Sequence, residues 1–135
     1  MDLRLIYGNR YLRVKPKSDR GLAAHNIHNW TIFVKFADKS IVPNRLVEKV
    51  RFHMHPSFGV DYMDARAPKE NGCYELNFTG YATFEVYIEI FFKHATGHRK
   101  IDLNHLLSFE GKGKWNNSSL QIKKSVAKKL NIHLR

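Results

Sequence analysis

The chain has 135 residues, 43% of them hydrophobic, enough to build one core and too apolar for a disordered polymer. A lone cysteine, Cys73, excludes an internal disulfide and a four-thiolate zinc site. Lys and Arg outnumber Asp and Glu by 23 to 12, and the formal net charge of +11 favours an anionic neighbour: nucleic acid, acidic protein or a membrane surface.

In chain order, Leu3, Leu5 and Tyr7 alternate with Arg4 and Ile6, a strand that Gly8-Asn9 is expected to end with a turn. Residues 10–15 alternate apolar with basic as a second strand, and residues 16–29, with Pro16 and Gly21, read as a loop. Trp30, Ile32, Val34 and Phe36 share one face of the next strand, which Asp38-Lys39-Ser40 and Pro43-Asn44 break. The cleanest strand is 46–55, with Val50, Phe52 and Met54 on one face and Lys49, Arg51, His53 and His55 on the other. Residues 59–73 form a long connection.

The strand at 84–93 buries Phe84, Val86, Ile88, Ile90 and Phe92, leaving Glu85, Glu89 and Lys93 outward with Tyr87 and Phe91 on the same outer face. Residues 100–109 are strand-like. A Gly/Lys linker at 111–114 then leads into a basic C-terminal segment, 112–135, read as a final strand or a short helix. Ile122, Val126 and Leu130 recur there every four residues. Short strands separated by turn signals predict an all-β antiparallel sandwich over residues 1–111.

The apolar stretches are strand-sized and broken by charge, so none is expected to span a bilayer. Met1-Asp2-Leu3-Arg4 lacks the apolar run of a signal peptide, which reads as an intracellular protein. His53 with His55, and His25 with His28, have no Cys pair or His-Glu-x-x-His helix beside them, and no metal or other cofactor is expected. Ser57 sits in no Gly-x-Ser-x-Gly elbow, no Gly/Lys phosphate cradle is present, and no histidine is placed near Cys73. The chain reads as a binding protein, not an enzyme.

Two aromatic-bearing turns end or open the strongest alternating runs: His55-Pro56-Ser57-Phe58-Gly59 and Gly80-Tyr81-Ala82-Thr83-Phe84. Together with Ile6-Tyr7-Gly8-Asn9, His28-Asn29-Trp30-Thr31-Ile32-Phe33-Val34, Val47-Glu48-Lys49-Val50 and His105-Leu106-Leu107, they resemble the YEATS domain family over roughly residues 3 to 111. The resemblance implies an immunoglobulin-like sandwich that reads acylated lysine, acetyl or crotonyl, on histone tails. It implies an acyl pocket of His55, Ser57, Phe58, Gly80, Tyr81, Ala82 and Phe84, with Phe58 and Tyr81 as facing rings. His28, and one of Asp102, Asn104 or His105, would contact the peptide.

It also implies a nuclear protein that recruits a multi-protein chromatin complex, with nucleosomal DNA as a further contact for the basic residues and no membrane partner. Two other readings stay open: a nucleic-acid-binding module using the charge, and a scaffold subunit using Tyr87 and Phe91. The chain departs from the family pattern at Pro56, at Gly72-Cys73-Tyr74-Glu75, at Phe78 and at Asn26.

Overall fold

A computed structural model describes residues 1–13, 28–80 and 82–132. The expected loop at 16–29 is therefore described only at its last two residues, and His25, Asn26 and Tyr81 lie outside the described residues. Eight strands and one short helix make up the described chain: β1 (Asp2–Arg13), β2 (His28–Phe36), β3 (Val47–His53), β4 (Tyr62–Ala65), β5 (Tyr74–Gly80), β6 (Glu85–Phe92), β7 (Lys100–Leu106), β8 (Gly113–Gln121) and α1 (Lys124–Lys129). They form two antiparallel four-stranded sheets, ordered β5-β2-β1-β8 and β4-β3-β6-β7.

The alternating residues explain the packing. Leu3, Leu5, Trp30, Ile32 and Val34 from one sheet meet Val50, Phe52, Val86, Ile88 and Ile90 from the other, and none is more than 2% exposed. Each such side chain contributes roughly 1.5–3 kcal/mol by leaving water. A one-residue slip in any of these strands would turn its whole apolar set outward, so burial fixes the register.

Three local expectations are corrected. The Gly8-Asn9 pair makes no turn, and β1 runs unbroken through it, because Gly8 pairs with Phe33 of β2 on one side and with Trp115 of β8 on the other. The glycine serves close approach: a β-carbon there would stand 2.2 Å from the Lys114 carbonyl oxygen and 2.5 Å from Trp115 Cα. The connection at 59–73 contains the edge strand β4, which pairs with β3 from Val50↔Ala65 to His53↔Tyr62. Glu89, expected in solvent, is only 9% exposed. It is clamped between His53 Nε2 at 2.5 Å and Lys100 Nζ at 2.7 Å. Lys100 first, then His53, holds its carboxyl below the usual range.

The stretch beyond residue 111 supplies a strand and a helix together. Gly111-Lys112 forms a turn, β8 lies along β1 from Asp2↔Gln121 to Arg10↔Gly113, and α1 follows with Ile122, Ala127 and Ile132 buried against the core. On the outer face of the second sheet, Arg51 grips Asp64 with two hydrogen bonds (2.9 and 3.2 Å) and stacks on Tyr62 at 3.8 Å. Phe91 carries Lys49 and Arg51 above its ring, and Tyr87 lies 4.9 Å from the His53 ring.

One buried polar group ties the sheets together at the chain's extremes. His105, 2% exposed on the inner face of β7, donates Nε2–H to Asn9 Oδ1 at 2.7 Å. Asn9 also accepts from the Ser108 N–H and donates to the Ser108 carbonyl, both at 2.9 Å. Burial, with Lys114 adding repulsion, pushes the imidazole down to about 4, so it is neutral in the folded protein.

Two predictions follow from these contacts. Gly8→Ala forces apart backbone that has no room to move and should lower unfolding free energy by about 1–3 kcal/mol in urea titration, with the C-terminal strand loosened first by hydrogen exchange. For His105, the unfolded chain binds a proton that the folded chain rejects between pH 6.5 and about 4. Stability therefore holds above pH 6.5 and falls as pH drops through that window, by roughly 2 kcal/mol between pH 7.5 and 5. His105→Gln should flatten that slope in matched denaturation curves, and an unchanged slope would show that His105 is not the titrating group.

Candidate functional site

At the end of β3 the chain leaves the sandwich, and the Met54 N–H closes the base of the next loop on the Asp61 carbonyl at 2.9 Å. His55 is extended and caps a single 3-10 turn, Pro56–Phe58. Its Nδ1 accepts from the Ser57 backbone N–H at 3.2 Å and sits 2.9 Å from Ser57 Oγ. Nδ1 is thus the unprotonated nitrogen. The Ser57 hydroxyl donates to it and keeps its oxygen lone pairs free to accept. Proline suits the first position of such a turn because its φ is already helical and its missing N–H is not needed there. Gly59, with φ +74°, ends the turn in the left-handed region.

This turn plants Phe58 on an aromatic floor. Its ring meets Trp30 edge-on (6.2 Å, 88°) and Phe78 edge-on (5.2 Å, 72°), and lies 5.7 Å from Phe84. Trp30 in turn touches Phe78 at 5.0 Å and Phe84 at 5.7 Å, and the His55 ring stands 5.6 Å from Phe84. The register that pairs Trp30 with Phe78 brings the second loop, beyond Gly80, alongside the first.

Between the loops is a cleft of ≈ 380 Å³ lined by His55, Ser57, Phe58, Gly80, Ala82 and Phe84, with Trp30, Thr79 and Thr83. All six described members of the expected acyl pocket therefore meet in one place. Tyr81, the seventh, falls between two lining residues but outside the described residues. Among the described residues the lining holds no carboxylate, ammonium or guanidinium. Such a cleft suits a neutral, partly flat guest that offers an N–H and a carbonyl, because an unpaired buried charge would be strongly disfavoured.

The expected peptide contacts stand elsewhere. His28 belongs to a second aromatic group, its Nδ1 bonded to the Tyr11 hydroxyl and its ring stacked on Phe109 (4.5 Å, 17°). It does not line the cleft. Asn104 is exposed on the outer face of β7 opposite Tyr87, as Asp102 is opposite Glu89. His105 is turned into the core and bonded to Asn9, which removes it from any surface contact in this fold.

Sequence reasoning missed Trp30, Thr79 and Thr83 as lining. Trp30 was assigned to the core by its alternation, correctly, but the same ring is also the cleft floor. The usable signal was the run Phe78-Thr79-Gly80 opposite His28-Asn29-Trp30, which antiparallel pairing places side by side.

Comparison with known proteins agrees with this arrangement. Over 86 residues the chain is 35% identical to Protein AF-9 of Homo sapiens, covering 62% of this chain and 14% of that protein. Over 103 residues it is 25% identical to the Protein AF-9 homolog of Saccharomyces cerevisiae, covering 76% of this chain and 43% of that one. The chain thus spans less than half the length of either curated relative. In three dimensions it is similar to the Yaf9 YEATS domain bound to H3K27ac (TM-score 0.79, 20% identity, 98% of this chain and 94% of that chain). It is also similar to the Yaf9 YEATS domain recognizing an H3K122suc peptide (TM-score 0.76, 21% identity, with the same coverage). These likenesses establish the immunoglobulin-like sandwich of that fold. A sequence model of the YEATS family matches residues 25–111, nearly the whole span from β2 through the last loop before β8, and the chain belongs to the YEATS family.

Proposed function

We propose that the cleft between the His55–Gly59 turn and the Gly80–Phe84 loop reads acylated lysine on histone tails, without catalysis. The observation that carries this reading is the uncharged, ring-floored cleft with Ser57 at its rim. Acylation removes the lysine charge and leaves a planar amide on an apolar stem. The Ser57 oxygen, its own proton directed at His55, accepts from that amide N–H. Loop N–H groups at Tyr81 and Ala82 donate to the acyl carbonyl. Phe58 forms one wall and Tyr81 the facing ring, a role supported by the presence of Gly80 and Ala82 in the lining on either side of it. The family membership and the acetylated H3 peptide named with one of the Yaf9 structures point the same way.

Flat crotonyl groups stack between the rings better than acetyl does. Exposed Lys112 and Lys114, and Lys123, Lys124, Lys128 and Lys129 in and beside α1 at the opposite end of the sandwich, add attraction to nucleosomal DNA phosphate. In the nucleus the domain would deliver a multi-protein chromatin complex to acylated nucleosomes.

Titration of histone-tail peptides that differ only at one lysine tests this. Unmodified peptide should bind at least about tenfold more weakly than acetylated peptide, since an ammonium would lose several kcal/mol of hydration in a cleft without a counter-charge. Crotonylated peptide should bind about threefold to tenfold tighter than acetylated. Equal binding of all three, or none, removes the reader assignment.

Ser57→Ala deletes one hydrogen bond at an exposed turn and should weaken acyl-peptide binding by about threefold to tenfold, leaving the thermal midpoint nearly unchanged. Phe58→Ala and Tyr81→Ala should each weaken it further. Full binding by both variants would show that the guest lies elsewhere.

A further inference from the structure

We propose that the Trp30 indole N–H is a hydrogen-bond donor for the far end of the acyl chain. On this basis the cleft favours short acyl groups bearing a neutral oxygen, such as a hydroxyl, over all-carbon chains of the same length. The inference rests on the acyl-lysine reading and adds the chemical class of acyl group.

Trp30 is 1% exposed, and its Nε1 has no hydrogen-bond partner among the described residues. Among the described residues only one other buried side-chain polar atom shares that condition, the Tyr74 hydroxyl, and Tyr74 does not line the cleft. A buried donor without an acceptor destabilises the free protein, and native structures keep few of them. The neighbours of this one explain its isolation. Phe58, Phe78 and Phe84 surround the indole with rings that offer no oxygen.

The remaining neighbour is Gly80, on the adjacent strand. A β-carbon there would lie 3.4 Å from Nε1, in van der Waals contact with it. Glycine leaves that space empty, and Gly80 is itself part of the cleft wall. The position over Gly80 is therefore where an entering chain end meets the one unpaired donor of the floor. Phe58 and Phe84, both partly buried and both set edge-to-face against the indole, screen the nitrogen from water. A small displacement of either ring by the guest opens it. The oxygen must be neutral, because the described lining supplies no cation to a buried carboxylate.

The test compares histone-tail peptides carrying butyryl-lysine and 3-hydroxybutyryl-lysine, which share a carbon skeleton. The wild-type protein should bind the hydroxylated peptide about threefold to tenfold tighter, the worth of one hydrogen bond. Trp30→Phe keeps a ring but removes the N–H, and should bring the ratio of the two affinities to about one whatever happens to each. A second readout needs no core variant. The chain has 2 tryptophans, so its amide spectrum carries two indole N–H signals, assigned with Trp115→Phe on the outer face. The Trp30 signal should shift with hydroxybutyryl peptide well beyond its shift with butyryl peptide. Equal wild-type affinities, or equal shifts, overturn the donor role while leaving the acyl-lysine reading intact. Failure of both peptides and of the acetylated peptide to bind overturns both.

Discussion

The indole of Trp30 is where the hydrophobic core and the cleft share atoms. One ring fills the space between the sheets beside Ile32 and Val34, and the same ring carries Phe58, Phe78 and Phe84, the residues that shape the binding end. Core burial therefore fixes the floor of the site with the same free energy that fixes the fold. The loops above inherit that precision because the first leaves β3 directly after buried Met54, and the second leaves β5 at Gly80, which pairs with His28 two residues from buried Trp30. A site floored by a close-packed interior needs little further ordering when a guest arrives.

The two loops are stiffened by different means. The first is a local machine: a histidine ring caps a single turn, proline sets its start and a left-handed glycine sets its end. The second is held by pairing, since Thr79 and Gly80 are still in register with β2, and the Leu107 N–H reaches back to the Phe84 carbonyl. Between these anchors lie the small residues Gly80 and Ala82. Stiff margins with small residues between them suit recognition by backbone N–H groups, which need close approach and fixed direction.

Much of this was legible in the residue order, and the illegible parts have a common cause. Val50, Phe52 and Met54, and Val86, Ile88 and Ile90, alternate strictly, and they did form the opposed inner faces. The described residues of the two aromatic turns, recognised as motifs, line one cleft. What could not be read were features that depend on a partner distant in sequence. Gly8 signals a turn locally, and only the approach of β8, over 100 residues later, explains why it stays extended. His105 looks like a surface group until Asn9, 96 residues away, accepts its proton. Glu89 looks solvated until His53 and Lys100 are placed beside it by the strands on either side. β4, only four residues long and carrying Asp64, offers too little alternation to stand out. Trp30, correctly placed in the core, was only half legible for a different reason. Alternation assigns a side chain to a face, but it does not tell how far along that face the core ends and a cleft begins.

The contrast between the chain's overall charge and its cleft completes the physical picture. A net charge of +11 repels a lysine-rich tail at long range and attracts the phosphates that surround such tails. Within the cleft that long-range field meets a lining whose described residues carry no carboxylate, ammonium or guanidinium. The two effects divide the work of recognition. Acylation lowers the repulsion by one charge as the tail approaches, and in the same step turns a strongly hydrated ammonium into a group that an aromatic, uncharged floor can accept. Salt screens the first effect and leaves the second nearly untouched, because mobile ions are excluded from the contact between a desolvated guest and the floor. On the proposed reading, discrimination between modified and unmodified lysine would reside in desolvation at the floor, not in the basic surface. On that reading, a single ring such as Trp30, and the donor it leaves unpaired, would set selectivity in a protein whose most conspicuous property is its charge.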